Sequence, residues 1–250
     1  MKIKGYRKLK NNEYEITLNE NKTIHLYDDV IIKYSLLLKK EITHSELTKI
    51  LKENDTLEAY YISLRYINKK MRSVFELKKY LENLEFDSKI IDKTIKKLKL
   101  ENYLNDQLFS RSYINDQYNL TNNGPIKIKK SLNQLGINDE YIEINQDFSP
   151  KIKHLINKKI KSNHKLSTNA LKINIVKYLS NLGYPKELYI SELEKIKADD
   201  ITFIKKDYER LLKKYKYKYD SNKLKYILKE KLYQKGYEHD TINSIVFEGE

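Results

Sequence analysis

The chain has 250 residues, enough for one large domain or an array of small units. Its 49 Lys and Arg against 35 Asp and Glu leave a net charge of +14, which points to a polyanionic partner such as nucleic acid or a nucleoprotein, although AT-rich codon usage also enriches Lys, Asn, Ile and Tyr. The absence of cysteine excludes disulfides, thiolate-held zinc, iron–sulfur clusters and thiol nucleophiles, and suits a reducing cytosol.

The basic start, Met1 to Lys8, is not followed by the apolar stretch of a secretory leader. The most apolar run, Val30 to Leu38, is nine residues interrupted by Lys33, far short of a membrane span, so a cytoplasmic protein with no membrane association is expected. Six glycines and three prolines leave little material for sheet corners or Gly-rich phosphate loops, and helix should dominate. The first 27 residues are the exception: Glu13 to Leu18 and Thr23 to Tyr27 alternate polar and apolar around Asn19-Glu-Asn-Lys22, which predicts a β-hairpin. Asp28 or Asp29 then suits the N-cap of a helix through about Lys39, and Thr43 or Ser45 that of a second, with Glu46 close behind.

From about residue 55 the chain repeats on a larger scale. Gly136, Gly183 and Gly236 stand 47 and then 53 residues apart, each followed by Ile or Tyr, and Glu85-Phe86 lies 51 residues before the first of them. Apolar positions keep step: Leu77, Leu81 and Leu84 map onto Ile128, Leu132 and Leu135, onto Ile175, Leu179 and Leu182, and onto Leu228, Leu232 and Lys235. The i, i+4, i+7 spacing sets each trio on one helical face, and a glycine one residue later suits a left-handed helix end. A helix follows each end and an amphipathic segment precedes each trio, so the reading is an N-terminal β-hairpin and helical extension at 1–54 and three-helix repeats at 55–100, 103–146, 149–198 and 200–248. A unit of about 45 residues cannot bury its whole apolar face alone. The expected fold is therefore mainly α, with tandem three-helix repeats stacked into an elongated curved solenoid that acts as a monomer. A plain helical bundle with coincident spacings is the simpler alternative.

Catalytic chemistry is hard to assemble from these residues. His25, His44, His154, His164 and His239 are scattered, with no HExxH pair, and no Walker A, GxGxxG or GxSxG loop occurs. The carboxylate pairs Asp28-Asp29 and Asp199-Asp200 fall at expected helix N-termini, where they stabilise the dipole. No enzyme, metal or cofactor is expected. Residues 146–250 carry 23 basic against 14 acidic residues, while residues 55–145 carry 15 against 13. The basic clusters are Lys127-Ile-Lys129-Lys130, Lys151 to His154, Lys158-Lys159-Ile-Lys161 and the interleaved run Lys213-Lys214-Tyr-Lys-Tyr-Lys-Tyr219. Lys and Tyr in alternation can contact phosphates and stack on unpaired bases, whereas lysine stems lying over tyrosines on a solvated helix give the plainer reading.

Three segments carry a resemblance. Met71-Arg72-Ser73-Val-Phe-Glu76-Leu77, Tyr103-Leu-Asn105-Asp106-Gln-Leu-Phe109-Ser110 and Gly124-Pro125 through Leu135-Gly136-Ile137 resemble, in order and spacing, the signature of the RecX family of bacterial recombinase regulators. The first 54 residues look like the extension of longer family members from low-GC bacteria. Asn105, Ser110 and Glu85 depart from the family pattern, and Glu85 puts a Cβ where the left-handed region favours glycine. Most signature residues also have structural explanations: Ser73 and Glu76 form a capping box, Pro125 suits a first helical turn, Asp106 a cap or first turn, and Leu77 and Phe109 the core. Arg72 and Arg111 have no such duty and, with Arg65, Lys127, Lys129, Lys130, Lys158, Lys159, Lys213 and Lys214, are the candidates for contacting a partner. The resemblance implies a module that lies in the groove of the RecA filament on single-stranded DNA and limits filament growth or stability. It would thereby lower recombination, ATP hydrolysis and coprotease activity in DNA repair and the SOS response. The alternative is a DNA- or RNA-binding helical repeat protein that acts without RecA.

Overall fold

A computed structural model describes residues 1–10, 12–19 and 22–247. Strands β2 (Glu13–Leu18) and β3 (Thr23–Tyr27) pair antiparallel, with Ile16 opposite Ile24, and their alternation turns Ile16, Leu18, Ile24 and Leu26 inward. Glu20 and Asn21 of the expected turn lie outside the described residues. The expected hairpin is in fact a three-stranded meander, because β1 (Ile3–Lys8) pairs with the other side of β2, Tyr6 opposite Ile16. Beyond Gly5 every residue of β1 is exposed, and an edge strand rich in Lys and Arg carries no alternation to be read.

The helix expected through Lys39 is shorter. Helix α1 (Asp28–Lys33) has Tyr27 at its N-cap and both aspartates in its first turn, and Ser35 then turns left-handed, φ +50°, before a 3₁₀ turn over Leu36–Leu38. Helix α2 (His44–Ile67) is capped by Thr43, whose hydroxyl accepts from the Glu46 N–H at 3.1 Å. It runs unbroken past residues 54 and 55. Its first half gives Leu47 and Ile50 to the core of the sheet and α1, while Ala59 belongs to a second core with Leu77, Leu81, Ile91, Ile95 and Leu98.

Helices α3 (Val74–Asn83), α4 (Ser88–Leu100), α5 (Asp106–Leu120) and α6 (Pro125–Gln134) follow, then α7 (Ser149–Lys161), α8 (Thr168–Asn181) and α9 (Ile190–Glu194), and finally α10 (Asp200–Tyr215), α11 (Ser221–Gln234) and α12 (His239–Phe247). After α6 the expected third helix is only a 3₁₀ turn, Asp139–Tyr141, and after α8 it is a 3₁₀ turn followed by the five residues of α9. The chain forms two compact units, Met1–Tyr113 with Leu132–Ile142, and Ile114–Ser131 with Glu143–Glu250.

The four matched helix ends close alike. Glu85, Gly136, Gly183 and Gly236 have φ of +62°, +76°, +85° and +86°. The next residue, Phe86, Ile137, Tyr184 or Tyr237, donates its N–H five residues back, to Leu81, Leu132, Leu179 or Leu232, which is Schellman geometry. Ile137, Tyr184 and Tyr237 bury their side chains over that end. Of the apolar trios only the first two positions are core. Leu84 is exposed and Leu135 and Leu182 are half-buried, which explains how Lys235 is tolerated at the fourth end.

Candidate functional site

The signature residues build a joint between helices distant in sequence. Ser73 caps α3 through its Oγ, which accepts from the Glu76 N–H at 3.1 Å, while the Glu76 carboxylate accepts from the Ser73 N–H at 3.1 Å. The Ser73 hydroxyl donates its own proton to the Leu135 carbonyl, 2.7 Å away at the end of α6. From the first turn of α5, Asp106 accepts the Val74 N–H at 2.9 Å. One serine and one aspartate thus satisfy orphan groups at two helix ends, and the Asp106 charge sits at the positive end of α3. Asn105 performs the local cap of α5, accepting from the Leu108 N–H.

The same joint recurs with different residues. Ser167 accepts from the Ala170 N–H and donates to the Lys235 carbonyl at 2.8 Å, and Asp200 accepts the Thr168 N–H at 2.7 Å. Asp199 is the local cap of α10, accepting from the Thr202 N–H at 3.1 Å. The sequence presents Asp199-Asp200 only as dipole charges. The signal that identifies Asp200 is the shared step of 32 residues, Val74 to Asp106 and Thr168 to Asp200, with a serine before each first member. A third joint is backbone alone: Gly124 and Ile126 donate to the Leu182 and Gly183 carbonyls at 2.7 and 3.1 Å. A Cβ on Gly124 would stand 2.5 Å from the Gly183 carbonyl carbon, so this approach requires glycine. Gly136 is closed in likewise, its missing Cβ directed at 2.4 Å from the Cβ of Phe75. Leu77 and Phe109 are core, and Pro125 opens α6.

The cationic candidates fall on both units, Arg65, Arg72 and Arg111 on the first and Lys127, Lys129, Lys130, Lys158, Lys159, Lys213 and Lys214 on the second. Arg72 has a structural duty that the sequence does not reveal. Its guanidinium lies 4.1 Å over the Tyr66 ring, which stacks on Tyr80 at 4.0 Å, and donates to Glu76 at 3.0 Å, leaving the side chain 17% exposed. Arg111 is exposed on α5 and makes no ion pair among the described residues. Arg65 is exposed on α2 beside Tyr27, Tyr61 and Glu13. Lys127, Lys129 and Lys130 are exposed on α6, the first with its stem against Gly183. Lys158 is exposed, and Lys159 rests its ammonium 4.4 Å over Tyr178. Lys151 is structural: it donates to the Thr121 carbonyl at 2.8 Å, over Tyr118, and burial pulls its pKa down.

Lys213 and Lys214 open a run of lysines over tyrosines between α10 and α11. The ammonium groups of Lys214, Lys216 and Lys223 lie 5.3, 4.5 and 5.5 Å from the rings of Tyr215, Tyr217 and Tyr219, and Tyr217 is 87% exposed. Among the described residues no group of three or more His, Cys, Asp or Glu could hold a metal ion, and no helix is long and apolar enough to cross a membrane.

Comparison with known proteins places this arrangement. Residues 59–98 match the family model described as the first three-helix domain of RecX. A protein of Streptococcus agalactiae serotype Ia named regulatory protein RecX is 31% identical over 259 residues, spanning 99% of both chains. Its namesake from Listeria monocytogenes serotype 4b is 30% identical over 96% of this chain and 94% of its own. A crystal structure of a regulatory protein RecX superposes on 76% of this chain and 98% of its own with a TM-score of 0.64 at 20% identity, a likeness of fold.

Proposed function

We propose, on the premise that this chain belongs to the RecX family of regulatory proteins, that it regulates the RecA recombinase by binding the RecA filament on single-stranded DNA and limiting its growth or stability. The observation that carries this reading is the full-length likeness to proteins named regulatory protein RecX. The joints support it: the signature residues bind helix ends rather than a reacting group, so their chemistry holds a scaffold that presents side chains to a partner. We take the scaffold to comprise four repeats, at 55–100, 103–146, 149–198 and 200–248, acting as a monomer in the cytoplasm. Arg65, Arg111, Lys127, Lys129, Lys130, Lys158, Lys159, Lys213 and Lys214 are the assigned contacts. Arg72 contributes by holding the α3 end. The net charge of +14 speeds encounter with a nucleoprotein.

The test is RecA's single-stranded-DNA-dependent ATPase, with the cognate recombinase and this protein well below one molecule per RecA protomer. Inhibition is the expected result. An unchanged rate and filament length would sink the reading.

A second reading rests on the lysines over tyrosines at α10 and α11, with Tyr217 almost wholly exposed. Such a surface suits direct contact with unpaired nucleic acid, since phosphates meet ammonium groups and bases meet ring faces. Affinity for naked single strands without RecA, lost on Tyr217→Ala, is the expected sign.

A further inference from the structure

The N-terminal part of the chain holds a concentrated positive site that the filament reading does not use. Along α2, Lys49, Lys52, Glu53 and Thr56 fall at i, i+3, i+4 and i+7 and share one face. Lys33 at the end of α1 flanks them, as does Lys93 of α4, and the six residues line a cleft of about 380 Å³, within the range of small-ligand sites. Four lysines and a single carboxylate therefore line one cleft.

That carboxylate is already engaged. Glu53 pairs through Oε1 with Lys33 and through Oε2 accepts from the Tyr34 hydroxyl at 2.9 Å. Lys49, Lys52 and Lys93 make no ion pair among the described residues: Glu46, on which Lys49 acts at longer range, is paired with Lys39, and Glu53, on which Lys93 acts, is paired with Lys33. Like charges held around a concavity repel unless an anion sits between them. Among the described residues no aromatic ring or aliphatic residue lines the cleft, so it holds no stacking face for a base and its strongest feature is its charge. Its small volume, lined from α1, α2 and α4, suits a compact anion better than an extended strand.

We propose that this cleft binds a compact oligophosphate, two or three linked phosphates, held by Lys49, Lys52 and Lys93 with Lys33 at its edge. The phosphates can come from free inorganic oligophosphate or from the tail of a nucleoside triphosphate. The site uses none of the residues assigned to the filament, and its test needs no RecA.

Isothermal titration of the full chain at about 0.15 M salt, where surface charge is substantially screened, uses inorganic tripolyphosphate, ATP and a single-stranded oligonucleotide lacking a terminal phosphate. Tripolyphosphate should saturate at one per chain, the double variant Lys52→Gln/Lys93→Gln should weaken it about tenfold, as loss of two charge-assisted contacts implies, and Lys213→Gln/Lys214→Gln should leave it within about twofold. ATP binding as tightly as tripolyphosphate identifies the nucleotide tail as sufficient, and weaker ATP binding identifies the free oligophosphate. Absent or non-saturable binding, equal loss in both double variants, or an oligonucleotide response to Lys52→Gln/Lys93→Gln with tripolyphosphate silent would overturn the proposal. All four lysines replaced are exposed, and matching thermal melts verify that the variants are folded.

Discussion

Glu85 occupies backbone space, φ +62°, that glycine holds at three equivalent helix ends. A Cβ in the left-handed region costs about 1–2 kcal/mol, and glycine returns about 0.4–1 kcal/mol through its freer unfolded chain. Glu85 is exposed and makes no ion pair among the described residues, so Glu85→Gly should stabilise by roughly 0.5–1 kcal/mol, the difference of those two effects, read as a higher denaturant midpoint at unchanged slope. A lower midpoint would show that the side chain does more than fill the position. Gly124 is the opposite case. What a Cβ would strike there is the backbone of Gly183 rather than the flexible tip of a side chain. Gly124→Ala should therefore destabilise by about 2 kcal/mol or more, as overpacking at a site that cannot give way does. A melting temperature within a degree or two of the parent would mean that the two backbones slide apart at no cost.

At the scale of elements, Tyr184 and Tyr237 follow matched helix ends, and both bury their rings, but their hydroxyls differ. The Tyr237 hydroxyl donates to Asp207 at 3.0 Å, and Asp207 is in turn held by Lys235 at 2.6 Å. The Tyr184 hydroxyl is buried with no partner among the described residues. Burial first, then Tyr178 and Tyr118, pushes the Tyr184 phenol to about 12, while burial and the Asp207 bond push Tyr237 upward. Folding therefore favours the protonated phenols. Their stability is fully present below the unfolded phenol value of about 10 and is lost as pH rises from there through about 12 for Tyr184. Removing an unsatisfied buried hydroxyl relieves about 1 kcal/mol. Tyr184→Phe should thus raise stability at pH 7 and flatten its decline above pH 10, and Tyr237→Phe should lower it at pH 7. Denaturant midpoints of both variants at pH 7 and pH 11 check this, and equal behaviour would contradict the assignment. The helix ends were legible in the sequence because a left-handed residue, an apolar pair before it and a large apolar residue after it are local demands. Strand β1 was not, since pairing with β2 alone makes it a strand. Nor was the break at Ser35, which lies inside the most apolar run of the chain, or the shrinkage of one third helix to a 3₁₀ turn and of another to a 3₁₀ turn with the five residues of α9. Ser73 and Glu76 announce their cap within four residues. The Arg72 shelf of Tyr66 and Tyr80 and the Asp106 and Asp200 clamps join distant segments, and only the fold brings them together.

Across the whole molecule, charge and signature lie apart. The matched first three-helix domain, residues 59–98, falls in a stretch with 15 basic against 13 acidic residues, whereas residues 146–250 carry 23 against 14. On the filament reading proposed above, shape and polar contacts in the near-neutral stretch set partner choice while the basic excess sets encounter rate and hold on phosphates, and salt acts on the second far more than on the first. Single-stranded nucleic acid loses affinity with salt at a log–log slope of about 0.7 per phosphate neutralised. Replacing Lys213, Lys214 and Lys216 by Gln should therefore lower the slope for naked single-stranded DNA by about 2, three contacts at that value, between 50 and 200 mM salt. The same variant at saturating concentration should still inhibit RecA's ATPase, because its remaining contacts are untouched. Anisotropy titrations across that salt range, beside the ATPase assay, separate the two effects. An unchanged slope would free α10 and α11 from phosphate contact, and a loss of inhibition at saturation would show that the Lys213 and Lys214 contacts are indispensable and that the remaining assigned contacts do not suffice.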